Sequence, residues 1–185
     1  MANREHLAKI KKGVAAWNDW RKTNKEIVPH LSGADLYGAD LSMANLSTAQ
    51  LGGAYLTGAN LSRADLSGAD VSEASLVGTN LSGAKLIGAN LSEANLSLAK
   101  LRGANLFGAH LSRADLSGAN LVGADLSRAS VSDTIFRGND LSDVKGLETV
   151  RHDGPSMIGI DNHLSLPWKN PAEIPARGWR SRKLH

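Results

Sequence analysis

Six histidines are the side chains here best suited to ligating a metal or moving a proton: His6, His30, His110, His152, His163 and His185. They are scattered. Only His30 and His110 fall in one register of the repeat described below, and four turns of that repeat separate them, too far to share an ion. Each is expected to be a lone surface group. There is no Cys, so no thiolate site or disulfide can form. His152, Asp153 and Ser156 have the residue types of a hydrolytic triad, but neighbours in sequence do not make triad geometry, and the stretch reads as a structural loop. Asp and Glu are spread thinly with no pocket to shift their titration. The glycines recur every five residues, which matches neither a phosphate loop nor the nine-residue calcium repeat. No catalysis, no cofactor and no metal are expected.

The elements that position these residues are set by one pattern. From Leu31 to Leu141 every fifth residue is Leu, broken by Val71, Val131 and Phe136. Two residues earlier stands Ala, from Ala34 to Ala129, with Thr79 the exception. Asp or Asn commonly lies between, Ser commonly follows, and Gly often closes the unit. A helix cannot use this period, since a step of five at about 100° per residue scatters Leu around the axis. A flat strand cannot either, because its faces alternate with period two. The period fits a square coil of twenty residues, with Ala and Leu inward on each side and two outward residues turning each corner. Each Leu then stacks on the Leu twenty residues away, and coils pair about 4.8 Å apart. The narrow interior leaves no cavity for a substrate. Thr79 fits inside only if its hydroxyl finds a backbone partner.

Residues 3–24 read as one amphipathic helix, with Leu7, Ile10, Val14 and Trp17 on one face. A solenoid ends in an open ring of Leu and unpaired strand edge. The apolar stripe is expected to cover it, anchored by Trp17 with Trp20 beside it. A membrane-surface or nucleic-acid helix is the alternative, on the strength of its lysines. At the other end Thr134 and Asn139 replace inward Ala, Ile135 a polar residue, and Phe136 Leu. The wider ring calls for a plug, expected from Gly146–Leu166 with Leu147, Val150, Met157, Ile158 and Ile160. The chain thus divides into an N-terminal cap (1–30), a β-helix (31–145), a C-terminal cap segment (146–166) and a basic, Pro-containing tail (167–185) expected to be poorly ordered, an altered or truncated terminus.

The A-[DN]-L-S-G units from Leu31 to Leu141 resemble the pentapeptide-repeat family, whose known structures are right-handed quadrilateral β-helices. The Ala16–Arg21 string A-W-N-x-W-R is similar to the leader of some bacterial, often cyanobacterial, members. Gly146–Asp161 resembles a segment that follows the repeats in some of them and can lead to a signalling or effector domain. The resemblance implies an all-β solenoid with an N-terminal capping α-helix, and few shared functions.

Outward residues twenty apart share columns. Ile87 falls beneath Phe107, while Tyr37 and Val77 share a column, with Tyr55 and Leu98 on the same side. Exposed apolar residues on a surface of Ser, Asn, Asp and Gly point to a partner. The leading expectation is therefore a non-enzymatic scaffold binding another protein through these residues. The net charge of +3 belongs to the ends. Residues 31–145 carry eight basic and eleven acidic side chains, nearly balanced. An alternative is duplex-DNA mimicry toward a type II topoisomerase, which the fold resemblance suggests, but mimicry needs a strongly negative rod. A second alternative is weak nucleic-acid binding by the basic tail, with Trp179 stacking on a base. No signal-peptide run or membrane span is present, so a cytoplasmic protein is expected.

Overall fold

The computed structural model describes residues 1–160 and 164–167. It is a right-handed quadrilateral β-helix preceded by two helices, α1 (Arg4–Lys11) and α2 (Val14–Thr23). One helix over 3–24 was expected from the apolar stripe. It is broken at Gly13, whose φ of 105° lies outside what other residues adopt readily. The break folds α2 back beside α1 so that both reach the first coil.

Each side of the coil is held by the same few bonds. Single parallel bridges link residues twenty apart, from His30 with Gln50 to Asp125 with Lys145. Leu31 N–H donates to Gln50 O (2.7 Å), and Tyr55 N–H donates back to Ala34 O (2.9 Å). From Leu31 to Ala129 every corner is a four-residue turn closed by the N–H of the inward Ala, or of Thr79, on the carbonyl three residues earlier, as in Ala34 to Leu31 (3.0 Å). The third turn residue has positive φ, about 67° at Gly33, as a type II turn requires. The Asp/Asn preference has a local cause too. The side-chain oxygen accepts from the N–H two residues on, as in Asp70 Oδ1 with Ser72 N (3.2 Å), a donor that no neighbouring coil reaches.

From Leu31 to Ala129 the inward Ala and Leu are buried in one continuous column, with Ala39 alone half-buried. Each buried Leu contributes roughly 1.5–3 kcal/mol against the entropy of ordering the chain. Thr79 is accommodated as expected: its hydroxyl donates to Leu56 O (2.7 Å).

Past Leu126 the winding changes. Strand β1 (Ser130–Val131) pairs in parallel with β3 (Arg151–His152), and β2 (Ile135–Arg137) with β4 (Met157–Ile160). The offset is twenty residues at Asp125–Lys145, twenty-one at Ser130–Arg151 and twenty-two at Ile135–Met157. Each added residue lengthens a side, so the segment expected as a plug continues the solenoid as a looser coil. A short 3-10 turn, Leu147–Thr149, makes one of its corners. Leu141, Val144, Leu147 and Val150 pack against the core, but Met157 points outward, 61% exposed. Strand β5 (Leu164–Pro167) then returns antiparallel along β4. Of the expected plug, the side chains of Ile158 and Ile160 lie outside the described residues, as do His163 and the expected tail after Pro167. No helix among the described residues is long and apolar enough to cross a membrane.

Candidate interaction faces

The square coil presents four walls, named here by the Leu beneath them. On the Leu31 wall and its corner stand Asp70, Glu73, Glu93 and Arg113, with Arg113 Nη2 3.1 Å from Glu93 Oε1. The Leu41 wall carries Arg63, Lys100 and Arg102 and a side-chain ladder in which Asn80 donates to Asn60 and Asn60 to Asp40, each at 3.1 Å. Hydrogen bonds from Ser42 hold the Asp40 carboxyl below its ordinary range. The Leu46 wall alternates charge, with Lys85 Nζ 4.0 Å from Asp65 Oδ2.

The Leu36 wall differs from all three. Between Asp35 and Asp115 it bears no charged side chain at all. There Tyr37, Tyr55 and Leu98 stand out at 74%, 60% and 65% exposed, with Val77 half-buried among them. Leu98 occupies a corner at φ 58°, where most units have Gly, and its Cδ2 lies over Gly118, about 3.0 Å from where a Cβ would stand. A left-handed Leu costs on the order of 1–2 kcal/mol, a cost Leu98 shares with eight other non-glycine corner residues. The other predicted pair lies on the opposite wall, that of Leu46. Ile87 and Phe107 are each 39% exposed, and the Arg128 guanidinium sits 5.6 Å above the Phe107 ring. The six residues therefore fall on two walls rather than one surface.

The predicted cap residues meet the first coil. Ile10 and Trp17 are buried, and Leu7 and Val14 pack beside them. Sequence reasoning missed the polar half of this contact. Trp17 Nε1 donates to Asn45 O (2.7 Å), and Asn18 both donates to Met43 O (3.0 Å) and accepts from Asn45 N–H (2.8 Å). Arg21 donates to Ile27 O (2.7 Å) and Ser47 O (3.1 Å). The A-W-N-x-W-R string contains all three residues; their three- and four-residue spacing beside Trp17 was the available signal.

His6 is the clearest departure from the lone surface histidines expected. It is 6% exposed, its Nδ1 accepts from His30 N–H (3.0 Å), and its ring lies 5.0 Å from Trp20 and 6.1 Å from His30. Burial, with His30 and Arg21 nearby, lowers its pKa from the usual 6.5, against a smaller opposing pull from Glu5. His152 is also partly buried, and burial lowers its pKa. Around the imagined triad, Ser156 Oγ accepts from Thr134 N–H (3.3 Å) and Asp153 turns to Arg151 (3.7 Å). His152 and Ser156 line a cavity of about 20 Å³ with Leu126, Val131, Phe136, Leu141, Leu147 and Val150. That is room for about one water, not a substrate. Among the described residues no three His, Asp or Glu converge as a metal site would require.

A sequence profile of pentapeptide repeats in eight copies matches residues 30–68, 44–83, 64–103 and 99–138. No curated protein matches the chain. Among solved structures, a pentapeptide repeat protein from Nostoc Pcc 7120 is 38% identical over 56% of this chain and 84% of its own, with a TM-score of 0.49. One from the Arabidopsis thaliana thylakoid lumen is 37% identical over 54% of this chain, with a TM-score of 0.39; the match spans 66% of that protein's length. HetL, a pentapeptide repeat protein involved in heterocyst differentiation regulation in Nostoc sp. strain PCC 7120, is 35% identical over 70% of this chain and 68% of its own, with a TM-score of 0.29. With the profile covering residues 30–138 without a gap, and the coil geometry following the same five-residue units, this chain belongs to the pentapeptide repeat family.

Proposed function

We propose that this chain is a non-enzymatic scaffold that binds another protein through its Leu36 wall. The observation that carries the reading is the uncharged run on that wall with Tyr37, Tyr55 and Leu98 exposed upon it. Tyrosines on a rigid sheet supply contact area at little entropic cost, and burying them excludes water from a flat interface. Among the described residues no three His, Asp or Glu converge, and the cavity beside His152 holds about one water, which leaves the walls as the surfaces offered to a partner. Ile87 and Phe107 remain a secondary contact in this reading. The compartment we propose is the cytoplasm, since the chain has no cysteine and so none of the disulfides that mark oxidising compartments.

The test is a photo-crosslinking amino acid placed at Tyr55 and, as control, at Ser92 on the Leu31 wall. In the native host the Tyr55 probe is expected to trap one discrete protein, lost when Leu98→Ser is added. Equal labelling from both walls would sink the proposal. Topoisomerase mimicry draws no support from charge, since Arg63, Lys100 and Arg102 interrupt the rod's acidic residues. A gyrase supercoiling assay with added protein is expected to show no inhibition.

A further inference from the structure

Each regular coil pairs with the one before it through three backbone groups per wall. These are one N–H and one C=O at the position before Leu, and one C=O at the position after it, as at Tyr55, Gln50 and Gly52. The first coil has no coil before it, and the helices replace that partner on only two walls. On the Leu31 wall Asn3 N–H donates to His30 O and His6 accepts from His30 N–H. On the Leu46 wall Trp17, Asn18 and Arg21 serve Asn45 and Ser47. On the other two walls nothing among the described residues reaches the amides of Asp35 and Asp40 or, from this side, the carbonyls of Asp35, Tyr37, Asp40 and Ser42. The corner between these walls is uncovered as well: Ala39 alone among the inward alanines is not fully buried. Unpaired edge groups of this kind are a template for strand addition.

We propose that the open corner at Asp35–Tyr37 and Asp40–Ser42 is a docking edge for an extended, cationic segment of a partner protein, which adds a parallel strand to the first coil. The charge follows from the columns. Asp35 and Asp40 have no cationic partner among the described residues, and both are exposed. In two other columns a residue of opposite sign faces the acid from the neighbouring coil, as Lys85 does for Asp65 and Arg113 for Glu93. A strand laid on this edge therefore carries Lys or Arg at outward positions five residues apart. Its inward residues are small, because Leu36 and Leu41 are already covered, at 3% and 2% exposed. The edge is a different surface from the uncharged run on the Leu36 wall, sharing only Tyr37 with it.

The probe is a dye-labelled decapeptide, Ala-Lys-Ala-Ser-Gly-Ala-Lys-Ala-Ser-Gly, followed by fluorescence anisotropy against the full chain. The protein's net charge of +3 repels this peptide in general, so binding reports the edge. The expected result is saturable binding, at least tenfold weaker when Glu replaces Lys, and at least tenfold weaker when the Ala after each Lys is N-methylated. Asp35→Asn with Asp40→Asn keeps the Asx turns and is expected to erase the preference for Lys, with an unchanged melting temperature. Tyr55→Ser and Leu98→Ser, which test the wall, are expected to leave peptide binding intact. No binding at millimolar peptide, or equal binding of the Lys and Glu peptides, overturns the proposal. So does a dimer of this chain that the peptide competes away, which would make a second copy the occupant.

Discussion

At the N-terminal end the first coil meets two helices whose side chains stand in for a missing coil, whereas at the C-terminal end the chain keeps winding with longer sides. The first closure is made of few, well-directed contacts: an indole over the Leu ring and the Asn18 amide imitating a strand on Asn45. The second is made by relaxing the repeat. Asn139 stands where Ala would, and its amide donates to Leu116 O (2.8 Å) and Ala119 O (2.7 Å). The bridge that Asn120 would make with residue 140 is missing, and Leu121 and Gly123 N–H have no protein acceptor among the described residues. A strict period can be capped by something of different kind, or it can be blurred until the end no longer templates another coil. This chain does one at each end.

The difference predicts unequal sensitivity. Trp17→Ala removes a fully buried side chain and the bond to Asn45 O, and is expected to cost about 3–5 kcal/mol, read as a large fall in the urea midpoint. A loss under about 1 kcal/mol would mean the helices are ornamental.

Acid is expected to loosen the N-terminal cap next. The His6 pKa is lowered in the fold, so below the ordinary value of 6.5 the unfolded chain binds a proton that the folded chain does not. Stability is therefore full above that value and declines as pH falls through it toward the lowered folded value. Melting temperatures between pH 7.5 and 5 check this, with His6→Gln expected to flatten the curve. Since the His152 pKa is lowered in the same sense, His152→Gln in parallel assigns the effect to one end. A curve that flattens only with His152→Gln would reverse the comparison.

Asn139→Ala should do least. Its Oδ1 is buried with no hydrogen-bond partner among the described residues, which offsets what its amide contributes. Stability is expected within about 1 kcal/mol of the parent, and hydrogen exchange at Leu121 and Gly123 should slow as regular pairing extends. Faster exchange there would show that Asn139 holds the wall closed.

The coils were legible because the five-residue period leaves only one way to bury Ala and Leu together. Thr79 was legible for the same reason, since a hydroxyl at an inward position has to bond the backbone. Less could be read at the ends. The apolar stripe hid the break at Gly13, because Leu7, Ile10, Val14 and Trp17 keep helical spacing across it. His6 read as one more scattered histidine, because burial depends on what α2 lays over it. On the outside, sharing of walls followed from counting by twenty, but the cover that Arg128 gives Phe107 did not.

By itself the sequence determined the solenoid, its four walls and which residues face outward, because each of these follows from local spacing repeated without interruption. Only the tertiary structure decided which walls of the first coil the helices serve and which they leave open, and how the last coil lengthens. Those outcomes depend on where non-repeating segments come to rest against a surface, and no period specifies that.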